Sequence, residues 1–159
     1  MITLGLDIGY DRCGFAFIET NGEVLLDSGI ILTEKSLPIN HRLNALRKDL
    51  AFLKKKYSPV ALCIEKLFFH RKNTIFEKIC MSKGVAMELF YESRIIEIEP
   101  KKAKREIIGR GDVTKKEVKA LLGMQLSIDF TEYMDDEVDA IYLALYSAKY
   151  LLLEKFYNK

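Results

Sequence analysis

The first nine residues constrain the fold of this chain more than any other stretch. Apolar side chains occupy every second position and would fall on one side of a β-strand: Ile2, Leu4, Leu6 and Ile8. The other side carries Thr3, Gly5 and Asp7. A face of small residues invites another element to pack closely over it, and the lone carboxylate of Asp7 would lie at the mouth of that packing.

The same design recurs at residues 60–65. Alternation there separates two sets of side chains: Val60, Leu62 and Ile64 on one side, and Ala61, Cys63 and Glu65 on the other. Two predicted strands therefore each present a face of small residues that ends in an acid. We expect Asp7 and Glu65 to lie side by side at one edge of a sheet.

Turn residues and apolar runs predict an antiparallel meander after the first strand. Residues 13–18 form a second apolar run, and residues 24–32 return as a third. Between them, Asn21-Gly22 predicts a two-residue hairpin, because this pair favours the turn whose twist suits antiparallel strands.

A helix is predicted to connect this meander to the second acidic strand. Pro38 is typical of a helix start, and Ser58-Pro59 would end the helix after Tyr57. Leucines recur between these points at spacings of three and four: Leu43, Leu46, Leu50 and Leu53. Because a strand that follows such a crossover joins its sheet in parallel, residues 60–65 are predicted to do so.

Helices alternate with one more strand in the next part of the chain. The pattern predicts a helix over residues 74–91 and a fifth strand over 94–99, which Pro100 stops. A short basic helix is predicted over residues 101–108, before the interruption at Gly109-Arg110-Gly111. This order indicates a sheet whose later strands are joined by helices.

Two further helices complete the predicted elements. Thr114 and Glu117 form a capping box for one of them, which is predicted to end at Gly123. The other is predicted over residues 135–156. Its small residues form a stripe that would let it approach a sheet closely: Ala140, Ala144 and Ala148. An adjacent stripe begins with two acids one turn apart: Asp136, Asp139, Leu143, Tyr146 and Tyr150.

The order of elements predicts an α/β fold. Its core would be a five-stranded mixed sheet, with three antiparallel strands followed by two parallel strands, flanked by helices. The chain has 159 residues and a hydrophobic content of 49%, which suits one domain over residues 1–159.

The sequence also bears on compartment. No segment reaches the roughly 18 uninterrupted apolar residues of a membrane span, and the N-terminus lacks the pattern of a secretion signal. We therefore expect a soluble, cytoplasmic protein without a membrane partner. Its three cysteines have no C-x-x-C spacing and are expected to be reduced core thiols: Cys13, Cys63 and Cys80.

Positive charge is concentrated between residues 101 and 119. Eight lysines and arginines lie there against three acids, although the net charge of the whole chain is only +2. Such a local excess is a candidate phosphate-binding surface. An ordinary solvated helical face is the alternative interpretation.

Four carboxylates are candidates for one site: Asp7 and Glu65 at strand ends, and Asp136 and Asp139 on the last helix. If they converged without counter-charge, they would repel one another strongly. Divalent cations such as Mg²⁺ relieve this repulsion, and two of them about 4 Å apart can hydrolyse a phosphodiester. This pattern favours a nuclease.

Each acid also has a simpler interpretation when it is considered alone. Asp7 or Glu65 can cap a strand end or pair with an arginine. Asp136 and Asp139, near the start of a helix, complement the helix dipole whatever their function.

Four motifs together resemble the RuvC family of Holliday-junction resolvases, which have the ribonuclease-H fold. The segment from Gly5 to Gly9, with Gly14, is similar to that family's G-I-D-P-G-x-x-x-x-G, and residues 64–68 are similar to I-E-Q-V-F. Residues 109–118 resemble G-x-G-x-x-x-K-x-x-V, with Lys104 at the spacing of an upstream lysine. Residues 136–140 resemble D-x-x-D-A. The resemblance covers nearly the whole chain.

This resemblance implies a homodimeric, Mg²⁺-dependent endonuclease that cuts two opposed strands of a four-way DNA junction. Two ions per active site would be held by Asp7, Glu65, Asp136 and Asp139, and Mn²⁺ would substitute for Mg²⁺. Lys115 would act with them in catalysis. Residues 74–91 would form the dimer interface.

The resemblance and the basic segment together predict a DNA-binding set: Phe68, Phe69, Arg71, Lys72, Lys104, Arg110, Lys115 and Lys116. Lys104 and Lys115 would lie near the scissile phosphate, and Phe68, with Phe69, would stack at the junction centre. Plain core packing is the alternative role of the two phenylalanines. The resemblance leaves the preferred cleavage sequence and any branch-migration partner open.

The chain departs from the family pattern at three positions. Ile8 replaces the usual proline, Lys66 replaces the usual glutamine, and Asp112 adds an acid within the basic loop. We expect the first two to be tolerated at a strand end and on a DNA-facing surface.

Other classes share parts of the pattern. The first motif also resembles the phosphate loop of actin-like ATPases, which need two lobes and usually more than twice this length. A YqgF-type nuclease is a nearer alternative, although the later motifs fit a resolvase better. A junction-binding protein without catalysis is the alternative from another class.

Overall fold

The fold is described from a computed structural model, which places residues 1–21, 23–67 and 74–157. Its elements follow one another in this order: β1 (Ile2–Ile8), β2 (Arg12–Glu19), β3 (Val24–Leu32), α1 (Ile39–Tyr57), β4 (Ala61–Glu65), α2 (Thr74–Leu89), β5 (Arg94–Ile98), α3 (Pro100–Ile108), α4 (Lys115–Leu126) and α5 (Asp135–Tyr157).

The five strands form one mixed sheet in the order β3-β2-β1-β4-β5. Antiparallel pairing joins β1 to β2 and β2 to β3. Parallel pairing joins β1 to β4 and β4 to β5. This order and these directions confirm the predicted fold class. Helices α1 and α2 provide the crossovers that parallel neighbours require.

Helices cover both faces of the sheet and divide the core in two. One half surrounds the even-numbered residues of β1, and its members come from the strands, α1 and α2: Leu4, Leu6, Leu46, Leu50, Leu62, Ile64, Ala86 and Phe90. The other half lies under α3, α4 and α5: Ala16, Ala61, Cys63, Ile98, Leu122, Ala140, Leu143 and Ala144. Alternation within β1 therefore separates two helical layers.

The small-residue face of β1 is in contact with α5, as the sequence predicts. A Cβ atom at Gly5 would lie 2.1 Å from the Ala140 carbonyl oxygen and 2.4 Å from the Ala144 amide nitrogen. Thr3 donates a hydrogen bond of 3.0 Å from Oγ1 to the Ala144 carbonyl. The backbone of α5 therefore approaches β1 more closely than a side chain at position 5 would permit.

The connection between β2 and β3 is longer than predicted. The last pair joins Glu19 to Val24, so four residues connect the strands and the expected two-residue hairpin at Asn21-Gly22 is wrong. The amide of Thr20 instead donates to the Met1 carbonyl at 2.8 Å. A register shift between Phe17 and Ile18 also displaces the pairing, and Gly22 itself lies outside the described residues.

The sequence predicted that α4 ends at Gly123, and this prediction is wrong. The last residue of the helix is Leu126. The next residue, Ser127, caps it in a left-handed conformation with a φ of 56°. A Cβ atom at Gly123 would lie 2.8 Å from the Ile128 carbonyl oxygen, so the glycine makes room for the returning chain. At the other end, the capping box of Thr114 and Glu117 is confirmed.

The predictions for the cysteines, for the end of α2 and for membrane spans had different outcomes. Cys13 and Cys63 are buried as predicted, whereas Cys80 is exposed on α2, so its assignment to the core was wrong. Helix α2 ends at Leu89, two residues before the predicted end. Within the described parts of the chain, no helix is both long and apolar enough to span a membrane.

We predict that Gly5→Ala lowers the free energy of unfolding by about 3 kcal/mol or more, because the added methyl group overlaps the backbone of α5. Thr3→Val is the matched control at the same contact. It keeps the side-chain volume and should cost only about 1 kcal/mol for the lost hydrogen bond. Chemical denaturation measures both, and equal losses would contradict a steric limit at Gly5.

Candidate active site

Asp7 and Glu65 lie at the ends of adjacent parallel strands. The register pairs Leu6 with Ile64 at the last position of the β1–β4 ladder. Each acid is the next residue of its strand, so both carboxylates emerge at the same sheet edge. The sequence predicted this neighbourhood from the repeated small-residue design.

The start of α5 lies against the same edge. Gly14 pairs with Asp7 across the β1–β2 ladder. A Cβ atom at Gly14 would lie only 1.9 Å from the carbonyl oxygen of Asp136. This approach brings the first turns of α5, with Asp136 and Asp139, to the strand ends that carry the other two acids.

Burial and neighbouring charges raise the pKa of Asp7 from 3.8 to about 8. Burial is the largest cause, and the negative charges of three other acids follow: Glu65, Asp139 and Asp136. The positive charge of Lys115 acts in the opposite direction. All four predicted acids therefore lie within one electrostatic neighbourhood, with Asp7 at its centre.

Glu65 and Asp139 show the same effect more weakly. Burial raises the pKa of each carboxyl above its usual range. For Glu65, a hydrogen bond from Tyr142 acts in the opposite direction. For Asp139, the positive charges of Lys104 and Lys115 do so.

Three of the four acids have a protein partner. Tyr142 donates from its hydroxyl to Oε1 of Glu65 at 2.9 Å. Arg12 Nε lies 2.9 Å from Oδ2 of Asp136, and Lys104 Nζ lies 3.8 Å from Oδ1 of Asp139. Within the described residues, Asp7 has no such hydrogen bond or ion pair.

The turn after Asp7 is held by a buried arginine of α1. The Arg42 guanidinium is only 4% exposed and donates to the Tyr10 carbonyl at 3.1 Å and to Asp11 Oδ1 at 2.6 Å. It also lies 3.6 Å from the centroid of the Tyr10 ring. These contacts fix the backbone that leads from β1 into β2.

The donor set suits a hard divalent cation. Four carboxylates contribute only oxygen atoms, which are the ligands that Mg²⁺ and Mn²⁺ prefer. Burial, and after it the negative charges of the neighbouring acids, raise the pKa of Asp7, and a bound cation would stabilise its ionised form. Over the described ranges, however, no three acidic, histidine or cysteine side chains are already arranged to hold an ion.

The basic residues of the predicted DNA-binding set differ in their surroundings. Lys104 faces the acids and is only 18% exposed. Arg110 is paired with Glu117 at 3.2 Å, and Lys115 is paired with Asp135 at 2.9 Å. Lys116 is exposed on α4. The other four predicted members, Phe68, Phe69, Arg71 and Lys72, lie outside the described residues.

Sequence reasoning missed four residues of this site: Arg12, Arg42, Asp135 and Tyr142. Spacing could have indicated two of them. Arg42 lies four residues before Leu46 on the buried stripe of α1, and Tyr142 lies one turn after Asp139. For Arg12 and Asp135, the sequence carries no comparable signal.

Comparison with known families decides the classification. A family model described as "Crossover junction endodeoxyribonuclease RuvC" matches residues 3–147. The chain belongs to the RuvC family. This is a family of divalent-metal-dependent nucleases, so the resemblance found in the motifs is confirmed and the chain is a nuclease.

Curated RuvC proteins match over almost the whole chain. The RuvC of Brachyspira hyodysenteriae is 34% identical over 149 residues, which cover 91% of this chain and 92% of the relative. The RuvC of a Synechococcus species is 33% identical over 150 residues, covering 91% and 96%. The residues that the family model matches, 3–147, include all four motifs of the candidate site.

Solved RuvC structures share the fold. Thermus thermophilus RuvC superposes with a TM-score of 0.85 at 22% identity, covering 97% of each chain. The same protein in complex with a Holliday junction substrate superposes with a TM-score of 0.84 at 20% identity, covering 96% of each chain. The ribonuclease-H-like fold predicted from the sequence is thus confirmed.

We predict that Asp7→Asn stabilises the metal-free protein at alkaline pH. The pKa of Asp7 is about 8 in the folded state against 3.8 for the unfolded chain. The folded protein therefore binds the extra proton, and stability falls as pH rises through this window. Asparagine removes that loss, which should be roughly 2 kcal/mol or more at high pH, because a tenfold change in a proton-binding constant corresponds to about 1.4 kcal/mol.

Denaturation in EDTA between roughly pH 5 and pH 9 measures this effect. Asp135→Asn is the control, because Lys115 lowers the pKa of that exposed carboxyl and the substitution removes a favourable charge. It should leave stability unchanged or slightly reduced. A destabilised Asp7→Asn variant at high pH would contradict the repulsion described here.

Proposed function

We propose that this protein is an endonuclease that resolves four-way (Holliday) DNA junctions by cutting two opposed strands, and that residues 1–159 act as one nuclease domain. The observation that carries the proposal is Asp7, a carboxylate inside the field of three other carboxylates, without a protein counter-charge in contact among the described residues. Phosphodiester hydrolysis by divalent cations explains why a fold would maintain such a group.

Mg²⁺ is the proposed cofactor, with two ions per active site and Mn²⁺ as a substitute. Asp7, Glu65, Asp136 and Asp139 would hold the ions. When bound, divalent cations polarise a phosphoryl oxygen and lower the pKa of a coordinated water. The all-oxygen donor set and its excess negative charge support this assignment.

The remaining polar groups have proposed roles around the acids. Lys104 and Lys115 supply positive charge on two sides, and both lower the pKa of Asp139. We assign them to the negative charge of the scissile phosphate region. Burial of the acids keeps bulk water away, which strengthens each of these electrostatic interactions.

A groove lined by apolar residues, three lysines and two aspartates is the proposed path for DNA. It has a volume of about 740 Å³ and lies between α4 and the connection to α5. Lysines line one part of it: Lys115, Lys116 and Lys119. Together with Arg110, they would contact phosphates, which supply most of the affinity in such complexes. Phe68, Phe69, Arg71 and Lys72 are proposed to contact the centre of the junction.

We propose that the active form is a homodimer joined through α2. Two copies would present two active sites to the two opposed strands. On α2, Met81 is 49% exposed, which leaves apolar area for a second copy. The Thermus thermophilus RuvC structure with a Holliday junction substrate supports the choice of a branched substrate.

We predict that the protein cuts a synthetic four-way junction in Mg²⁺, with paired cuts on opposed strands, and leaves a linear duplex intact. A flap of the same sequence tests the selectivity among branched substrates. EDTA should abolish cleavage, because the acids would have no cation to act with. Asp7→Asn should also abolish cleavage and keep junction binding, as measured by gel electrophoresis of strands labelled on opposed arms.

Three outcomes of that experiment would contradict the proposal. Binding without any cleavage by the unaltered protein would indicate a catalytically silent junction binder. Equal cleavage of the linear duplex would remove the selectivity. Loss of both binding and cleavage in Asp7→Asn would assign Asp7 to folding.

We also predict that junction affinity falls steeply with salt and that Lys115 and Lys116 carry part of this dependence. The double variant Lys115→Ala, Lys116→Ala should reduce the slope of log Kd against log salt by about 2, since each phosphate contact contributes about 1. Fluorescence anisotropy in EDTA measures the slope. The control replaces Lys48 and Lys55 of α1, on the opposite face of the sheet. Equal slopes in both double variants would argue against the groove.

A further inference from the structure

Tyr142 occupies an unusual position for a tyrosine of the core. It lies on α5 one turn after Asp139, and its side chain is fully buried, with an exposed fraction of 0%. Its hydroxyl donates to Oε1 of Glu65 at 2.9 Å, across 77 residues of sequence. Because burial of a phenol without a partner is costly, this hydrogen bond is a structural requirement as well as a contact with the site.

The ring of Tyr142 contacts the site as well. Lys104 Nζ lies 5.2 Å from the ring centroid, and the same ammonium lies 3.8 Å from Oδ1 of Asp139. One buried side chain therefore touches Glu65 through its hydroxyl and Lys104 through its face. Neither contact follows from the motifs that indicate the family.

The hydrogen bond restricts how Glu65 can be oriented. A glutamate side chain has three rotatable bonds, and the neighbouring negative charge of Asp139 does not favour an orientation of its carboxylate toward the other acids. Tyr142 approaches from α5, the helix that also carries Asp136 and Asp139. Its hydroxyl engages Oε1 of Glu65, and no hydrogen bond within the described residues engages Oε2.

We propose that Tyr142 is a positioning residue, whose hydroxyl holds the Glu65 carboxylate in the orientation needed for metal binding and whose ring places Lys104 beside Asp139. This inference rests on the proposed function, because it assigns Glu65 to the metal site. Tyr142 itself does not contact substrate. Groups that orient metal ligands in this way typically change metal affinity or activity by about 10-fold to 100-fold when they are removed.

The decisive variant is Tyr142→Phe, which removes only the hydroxyl and keeps the ring beside Lys104. Tyr146→Phe is the matched control, since it makes the same chemical change on the next turn of α5, where the ring faces Tyr150. Mg²⁺ affinity is measured as the concentration dependence of the thermal midpoint. Single-turnover cleavage and junction binding in EDTA separate the catalytic step from substrate affinity.

For Tyr142→Phe we expect a loss of about 10-fold or more in Mg²⁺ affinity and in single-turnover rate, with junction Kd unchanged. The control should stay within about twofold of the unaltered protein in all three measurements. A residue that only fills the core would not separate rate from binding in this way. Unchanged Mg²⁺ affinity and rate in Tyr142→Phe would overturn the proposal.

A second measurement needs no metal and no cleavage. In EDTA, a double-mutant cycle of Tyr142→Phe with Glu65→Met, which removes the acceptor and keeps the side-chain length, should give strongly non-additive changes of the thermal midpoint, because the two side chains share one hydrogen bond. Additive changes would overturn the proposal. If the unaltered protein failed to bind Mg²⁺ or to cut junctions, the proposed function would fail, whereas this cycle would still measure the contact between Tyr142 and Glu65.

Discussion

The contact between the backbone of α5 and the glycine face of the sheet is the constraint on which the site depends. At Gly5 and Gly14, main-chain atoms of the helix occupy space that any side chain would fill. The helix therefore reaches the strand ends with Asp136 and Asp139 close to Asp7. A larger residue at either glycine would separate two acids from the other two, and the sheet alone would supply only Asp7 and Glu65.

Apolar packing in the two halves of the core offsets the free-energy cost of burying the acids of the site. Burial and like charges raise the pKa of Asp7, which means that folding places an acid where its ionised form is disfavoured. Apolar packing on both faces of β1 offsets this cost, with Leu4 and Leu6 on one face and α5 on the other. Strain of this kind is common where a protein maintains a reactive arrangement of groups.

The sequence predicted the fold and the proximity of the four acids, because both depend on periodicity and short motifs. Alternation in residues 2–8 and 60–65 predicted the strands and the shared edge, and helix spacing placed Asp136 and Asp139 together. Prediction from the sequence was wrong where long-range packing overrides a local preference. Gly123 has the composition of a helix end but serves the close approach of Ile128, and the partners of Arg42 and Tyr142 come from segments far away in the chain.

Arg42 also connects the layer of α1 and α2 to the turn that follows Asp7. Its guanidinium stacks on Tyr10, and Lys78 of α2 lies 4.6 Å from the centroid of the same ring. Side chains of both α1 and α2 therefore contact the turn directly after Asp7. A small movement of α1 or α2, including one imposed by a neighbouring molecule, would be transmitted through this aromatic ring to the strand end. The position of the strand end that carries Asp7 is therefore tied to packing on a face of the sheet that carries none of the four acids.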